Sequence, residues 1–299
     1  MAGMLLVRYG ELALKSPPVR REFESALRRN ILDQFVREGM AARLRSDRGH
    51  LYVEADDPEA ATRLVRRVFG VTSVSVVHEV PSDREQIRDR LLALAEPRLP
   101  AGASFAVRAR RTGQHPFTSQ ELARDLGGDI LERFADRNLT VDLDRPSVEL
   151  FVEVRGPRTY LYFDRTDGPG GLPLGVAGHL VALVDGPRGA LGAFMMMKRG
   201  CRVALVAADP GEPLVRNVLS RFDPAATVDR VPPGPEGRAR SLVELAERCR
   251  ADGVVLPLGV DEFATARVEW GDRVLFSPTV GLTDEEVDAR WQRVAMLAG

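Results

Sequence analysis

The chain has 299 residues, 44% of them hydrophobic and 28% charged, with a formal net charge of -1. That length suits two or three domains with real cores, and the near-average composition excludes a disordered or fibrous chain. No apolar run reaches the roughly 18 residues of a membrane span. The first residues lack the basic flank and apolar core of a secretory signal, so the expected compartment is the cytoplasm, with no membrane partner. Two cysteines, Cys201 and Cys249, are too few for a disulfide framework, and His50, His78, His115 and His179 are scattered, so no metal site is expected. Near-neutrality excludes nucleic-acid binding by bulk charge. By segment, however, residues 1–79 carry 13 basic and 11 acidic residues, residues 80–165 carry 14 of each, and residues 166–299 carry 15 and 18. Only Lys15 and Lys198 are lysines. The other 40 basic residues are arginine, whose planar fork suits phosphate, although a GC-rich genome or a hot habitat gives the same excess.

In chain order, Met4 to Arg8 reads as a strand. After Ser16-Pro17-Pro18, the residues Phe23, Leu27, Ile31 and Phe35 recur every four, which predicts a helix ending near Gly39. Arg43 to Ala55 reads as a hairpin turning at Ser46 to Gly49, Asp57-Pro58 opens a helix with Ala61, Leu64, Val65 and Val68 on one face, and Val71 to Val80 returns as a strand. The order β-α-β-β-α-β is that of a ferredoxin-like domain, taken as residues 1–79.

A second segment, residues 80–165, begins with a helix from Arg84 to Glu96 and a strand from Ser104 to Arg111. Alternation puts Phe105, Val107 and Ala109 on one face of that strand, with Arg108 and Arg110 side by side on the other. Phe117-Thr118-Ser119-Gln120-Glu121-Leu122 matches both a capping box and a hydrophobic staple. The helix it starts offers amide donors next to the arginine strand, a pairing that favours phosphate. Strands Val148 to Val154 and Thr159 to Asp164 follow. Residues 166–178 form a Gly/Pro linker.

Residues 179–299 have the cadence of a parallel α/β sheet. The reading is a strand from His179 to Val184, a Gly-rich turn, a helix from about Ala190 to Lys198, and a strand from Arg202 to Ala207. A loop from Val231 to Arg238 leads to a helix from Ala239 to Arg250, a strand from Val254 to Leu258, and a last helix from Asp284 to Leu297. The expected fold class is thus α/β and α+β. Met195 to Met197 and both cysteines read as helix core and structural thiols.

Several separated motifs carry a family resemblance. Arg8-Tyr9-Gly10-Glu11-Leu12-Ala13-Leu14-Lys15-Ser16, followed by Arg21-Glu22-Phe23-Glu24, resembles the opening of the tRNA 4-thiouridine synthetases (ThiI). Val107 to Arg111 with Phe117 to Glu121 and Gly127-Gly128 resembles their THUMP domain. Asp167 to Gly175 resembles the joint before their ATP-binding domain. The resemblance implies a ferredoxin-like domain and a THUMP domain that together bind the tRNA acceptor end, then a Rossmann-like PP-loop ATPase that adenylates uridine 8. It assigns RNA contact to Arg108, Arg110, Arg111, His115, Thr118, Ser119, Arg124 and Lys15.

The third segment departs from that pattern. The family's nucleotide loop reads Ser-Gly-Gly-x-Asp-Ser, whereas here Val184-Asp185-Gly186-Pro187-Arg188-Gly189 occupies the register, retaining one glycine of the motif. The hydroxyls are missing, Asp185 brings negative charge, and Pro187 lacks an N–H, while Arg188 could still attract an anion. Asp185, Gly186, Pro187, Arg188 and Gly189 therefore read as a degenerate nucleotide loop in a shortened PP-loop domain with no ATP cofactor. The family's late catalytic cysteine is not evident. The expected function is a non-catalytic tRNA-binding component of 4-thiouridine-type modification, with room for a catalytic partner subunit and for a homodimer. An active ATP-dependent tRNA sulfurtransferase with a divergent loop, and a scaffold without RNA binding, are the alternatives.

Overall fold

The computed structural model describes residues 3–10, 16–47, 49–231, 235–266 and 274–299. The first six elements follow the expected order: β1 (Gly3–Tyr9), α1 (Pro17–Arg37), β2 (Arg43–Asp47), β3 (His50–Ala55), α2 (Pro58–Val65) and β4 (Val71–Pro81). The strands take the ferredoxin-like order β2-β3-β1-β4. Leu27, Ile31 and Phe35 are buried along α1, as are Ala61, Leu64 and Val65 along α2. Antiparallel pairing from Arg43 with Glu54 to Asp47 with His50 closes the hairpin at Gly49, whose φ of 82° lies in the left-handed region that glycine enters without strain.

The chain divides into two compact units. One takes the chain up to Leu6, Asp56–Pro58 and Ser75–Thr166, and the other Val7–Ala55, Glu59–Val74 and Asp167–Gly299. The first unit contains α3 (Arg84–Ala95), β5 (Ser104–Thr112), α4 (Ser119–Arg133), β6 (Thr140–Val141), β7 (Val148–Arg155) and β8 (Arg158–Tyr162), with strand order β4-β8-β7-β5-β6. Strand β5 runs parallel to β6 and β7, and β8 is antiparallel to β7 and β4. Phe105 and Val107 of β5 pack with Ile87 and Leu91 of α3, and with Leu122, Leu126 and Ile130 of α4, in one core. That face is the one the alternation predicts.

In the second unit, β9 (Thr166–Asp167) leads into a stretch held by backbone bonds. Gly168 N donates to Thr72 O, Gly170 N to Val71 O and Leu172 N to Lys198 O. The parallel sheet that follows uses β10 (His179–Val184), β11 (Arg202–Ala207), β12 (Val228–Arg230), β13 (Gly253–Val255) and β14 (Val274–Phe276) in the order β12-β11-β10-β13-β14. This is a Rossmann-like arrangement whose strand order turns back beside β10. Helices α5 (Pro187–Lys198), α6 (Pro235–Arg248), α7 (Val260–Ala266) and α8 (Asp284–Ala298) accompany it. A helical stretch over residues 212–222 has a π-helical turn, Val215–Leu219, at its centre.

Three expected boundaries shift, and one of them is the strand read as Val254 to Leu258, which ends at Val255. Helix α5 starts at Pro187 rather than near Ala190, because proline's fixed φ suits the first helical position and Gly186 serves as N-cap. Helix α6 starts at Pro235 rather than Ala239. The three-residue strands β12 and β14 and the short helix α7 carry too few residues to show a period, which is why no hydrophobic pattern announces them. Among the described residues, no helix is long and apolar enough to cross a membrane.

The core of this unit holds Phe69, Phe194 and Phe222, with ring centroids 5.2 Å apart for Phe69 and Phe194, 5.5 Å for Phe69 and Phe222, and 5.1 Å for Phe194 and Phe222. Trp291 belongs to the same cluster. Phe222→Ala is therefore expected to lower stability by about 3–5 kcal/mol. Urea unfolding followed by tryptophan fluorescence checks it.

Candidate nucleic-acid interface

Strand β5 sets the interface geometry. Arg108 sits beside Phe151 and Arg110 beside Glu153 of β7, so the two arginines share the sheet face that points away from the helices. Their surroundings differ. Arg108 donates through Nε to Glu149 Oε1 at 2.9 Å and through Nη2 to the Leu143 carbonyl at 2.7 Å, which engages much of its fork inside the protein. The carboxylate beside Arg110 is already committed: Glu153 accepts from Tyr162 Oη at 2.6 Å and from Arg155 Nη2 at 2.7 Å. Arg110 is exposed and has no ion pair or hydrogen bond with a described residue. It is the least constrained cation on this face. The neighbouring Phe151 ring stacks on Tyr162 at 4.8 Å and lies under the Arg165 guanidinium at 5.4 Å.

Arg111 projects to the opposite face and donates to the Gly113 carbonyl at 3.0 Å. His115 Nε2 lies 3.2 Å from the Thr112 carbonyl oxygen, and its ring stacks on Phe117 at 5.6 Å. The capping box of α4 is complete: Thr118 Oγ1 accepts from Glu121 N at 3.1 Å, and Glu121 Oε2 accepts from Thr118 N at 2.7 Å. Hydrogen bonds from Thr118 hold the Glu121 carboxyl below its usual range, so a negative charge stands where an incoming phosphate would meet the helix end. The amides of Ser119 and Gln120 remain for an anion. Lys15 lies outside the described residues.

Sequence reasoning missed a groove beside α4. Phe105 and Val107 floor it, Gly127, Gly128 and Leu131 form one wall, and Val141 and Leu143 form the other, around a cavity of about 570 Å³. Leu131, Val141 and Leu143 are 39%, 51% and 62% exposed, a concentration of apolar surface on one small unit. Gln120 and Arg124 stand at its rim, and Arg124 keeps 75% of its side chain exposed although its Nε donates to Asp125. The available signal was Gly127-Gly128 in mid-helix. A Cβ at either position meets nothing within 4 Å, so the glycines are not demanded by internal packing and their smallness leaves the groove open.

In the strand-to-helix turn at residues 184–189, Arg188 and Asp185 are bonded within the protein. Arg188 donates to the carbonyls of Thr279 at 2.8 Å and Leu282 at 2.9 Å and to Asp284 Oδ1 at 2.7 Å. Asp185 pairs with Arg238 Nη1 at 3.2 Å. Gly186 gives α5 no side-chain cap, Pro187 takes the first helical position, and a Cβ on Gly189 would stand 2.4 Å from the Leu183 carbonyl oxygen. Cys201 is buried, and burial pushes its thiol pKa up, while Cys249 is half-buried. If Arg188 is a structural clamp, Arg188→Met leaves two carbonyls and a carboxylate without their donor. A stability loss of about 1–3 kcal/mol is expected by thermal unfolding, whereas an anion-binding arginine free of such bonds would give none.

Comparisons with known proteins agree with this fold. Residues 4–75 match the ThiI ferredoxin-like domain and residues 81–164 the THUMP domain. A probable tRNA sulfurtransferase of Methanothermobacter thermautotrophicus is 35% identical over 212 residues, covering 69% of this chain and 52% of the relative. One of Methanosarcina mazei is 32% identical over 261 residues, covering 82% and 64%. The chain thus spans between half and two thirds of these curated relatives. Among solved structures, PH1313 from Pyrococcus horikoshii is similar with a TM-score of 0.82 at 28% identity, covering 98% of this chain and 99% of that one. A 4-thiouridine synthetase–RNA complex with bound ATP shares the fold with a TM-score of 0.80 at 22% identity, covering 100% and 86%. With a ThiI ferredoxin-like domain followed directly by a THUMP domain, the chain belongs to the ThiI family of THUMP-domain proteins.

Proposed function

We propose that the chain binds the acceptor end of tRNA through its THUMP unit and serves tRNA modification of the 4-thiouridine type without using ATP itself. The observation that carries this reading is the contrast between two places. In the turn that holds a nucleotide in the ThiI pattern, Arg188 and Asp185 are bonded within the protein and Pro187 lacks an N–H, while the THUMP unit keeps an open groove with Arg124 at its rim. An apolar groove with an amide and a guanidinium at its edge suits an unstacked base at a single-stranded end, the kind of target that sequence-reading RNA proteins take. The free part of Arg124 supplies charge for the backbone at the groove, and Arg110 supplies it on the opposite face of the sheet. A catalytic subunit would then bring the chemistry, and two copies of the chain could serve one tRNA.

The residues of the turn fit ATP poorly. The absent hydroxyls and the proline each remove a donor, and losing one or two charge-assisted hydrogen bonds, at about 1.5–3 kcal/mol each, weakens binding by roughly one to four orders of magnitude. A second reading, an active tRNA sulfurtransferase with a divergent loop, draws support from the names of the relatives and from the ATP-bound neighbour of the same fold. It requires the Arg188 clamp to open when tRNA binds.

Calorimetry with Mg-ATP, with and without tRNA, separates the two readings. No measurable heat of ATP binding is expected in either condition, and micromolar binding or tRNA-dependent pyrophosphate release establishes the second. For RNA, Arg110→Ala with Arg124→Ala is expected to weaken tRNA binding and flatten its log-log salt dependence by up to about two units, and trimming the terminal CCA is expected to weaken it further. Gly127→Ala with Gly128→Ala is expected to raise the melting temperature, since each exchange favours helix by up to about 1 kcal/mol, and yet to weaken tRNA binding by narrowing the groove. Binding unchanged in all three rejects the THUMP surface as the site.

A further inference from the structure

A second cationic surface lies in the other unit, on the shoulder of α2. The backbone of α2 tightens at its end, where Arg66 N donates to Thr62 O and Arg67 N to Leu64 O, and this carries the helical spacing past Val65. Arg63, Arg66 and Arg67, at i, i+3 and i+4, therefore share one side, opposite the buried Leu64, Val65 and Val68. Arg67 Nη2 donates to the Gly299 carbonyl at 3.1 Å and Arg221 Nη1 to the Ala298 carbonyl at 3.2 Å, so both guanidiniums meet at the C-terminal turn of α8.

Several other arginines of this unit are paired with carboxylates: Arg188 with Asp284, Arg202 with Asp223, Arg238 with Asp185 and Arg248 with Asp229. Arg63, Arg66, Arg67 and Arg221 form no ion pair with a described carboxylate. Burial and the charges of Arg221, Arg66 and Arg63 all push the Arg67 pKa down, with Glu38 opposing. The Nε groups of Arg66 and Arg67 are buried without an acceptor. The dipole of α8 accounts for one N–H of Arg67 and one of Arg221. It leaves their other donors, and those of Arg63 and Arg66, unassigned. Four like charges opposed, among the described residues, only by Glu38 and the negative end of α8 repel one another, and an anion bound between them lowers that repulsion.

We propose that Arg63, Arg66, Arg67 and Arg221 form a second RNA-contact patch that takes phosphodiester groups of tRNA, outside the THUMP surface and partly built by the α/β portion of the chain. Guanidinium forks match phosphate oxygens bidentately, and a polyanion that meets a second cationic patch on one chain gains affinity through effective concentration. The proposal rests on tRNA being the ligand of this protein. It also gives the α/β portion a role that needs no nucleotide.

The test uses the full chain with Arg63→Gln and Arg66→Gln, the two residues that hold no backbone carbonyl. The double variant is expected to melt at or above the wild-type temperature, because removing unpaired like charges relieves repulsion. It should bind tRNA about tenfold more weakly at low salt, with a log-log salt slope shallower by up to about two units. Wild-type tRNA binding with the same affinity and slope in the variant overturns the patch and leaves the THUMP reading standing, whereas no tRNA binding by the wild type overturns both. Binding to vesicles of anionic phospholipid that the variant loses, with tRNA binding unchanged, overturns the RNA assignment in favour of a membrane surface.

Discussion

Phe69 follows α2 in the ferredoxin-like segment, yet its ring lies against Phe194 and Phe222 of the α/β segment, more than a hundred residues later in the chain. That three-ring contact makes one folded unit from stretches far apart in sequence. Apolar burial is non-directional, so rings alone do not fix how the pieces meet. Polar bonds do so here. Asn30 donates to the Leu174 carbonyl and accepts from Arg202, Gln34 donates to the carbonyls of Arg221 and Phe222, and Arg202 pairs with the buried Asp223. Burial pushes the Asp223 carboxyl above its usual range against the pull of Arg202, so this pair specifies geometry more than it adds stability.

The α/β segment is thereby bound into one unit with helices of the ferredoxin-like segment. A turn from a parallel strand into a helix holds an anion only while its amides are free and the space before them is open. In this molecule Arg188 reaches from the first turn of α5 to the carbonyls of Thr279 and Leu282 and to Asp284 at the start of α8. Asp185 is tied to Arg238 of α6. The charges of this turn tie elements around the sheet to one another.

Much of the fold was legible because the periods were clean. The four-residue recurrence of Leu27, Ile31 and Phe35 and the alternation of Phe105, Val107 and Ala109 each identify a buried face, and the capping box at Thr118 marks a helix start that the structure reproduces. Proline misled the boundary of α5, since Pro187 read as a turn residue although the first helical position is where its missing N–H does no harm. The site was harder to read. Alternation correctly placed Arg108 and Arg110 on one face, but a one-dimensional pattern holds no information about Glu149 or the Leu143 carbonyl, which engage Arg108 and leave Arg110 alone. The groove escaped for the same reason: its walls come from α4, β5 and the loop after β6, and only the paired glycines hinted at it.

Arginine content is therefore a poor guide to binding in this chain, and the state of each fork is a better one. With 40 arginines facing 43 acidic residues, most guanidiniums can find a carboxylate or a carbonyl close by, and a paired fork presents few donors outward. The informative cations are those that the fold leaves unmatched. Arg110 is one, beside a glutamate already held by Tyr162 and Arg155, and the Arg63, Arg66, Arg67 and Arg221 group is another. Net charge conceals both, because the matched pairs cancel in the sum while the unmatched ones set the local field that a phosphate backbone meets.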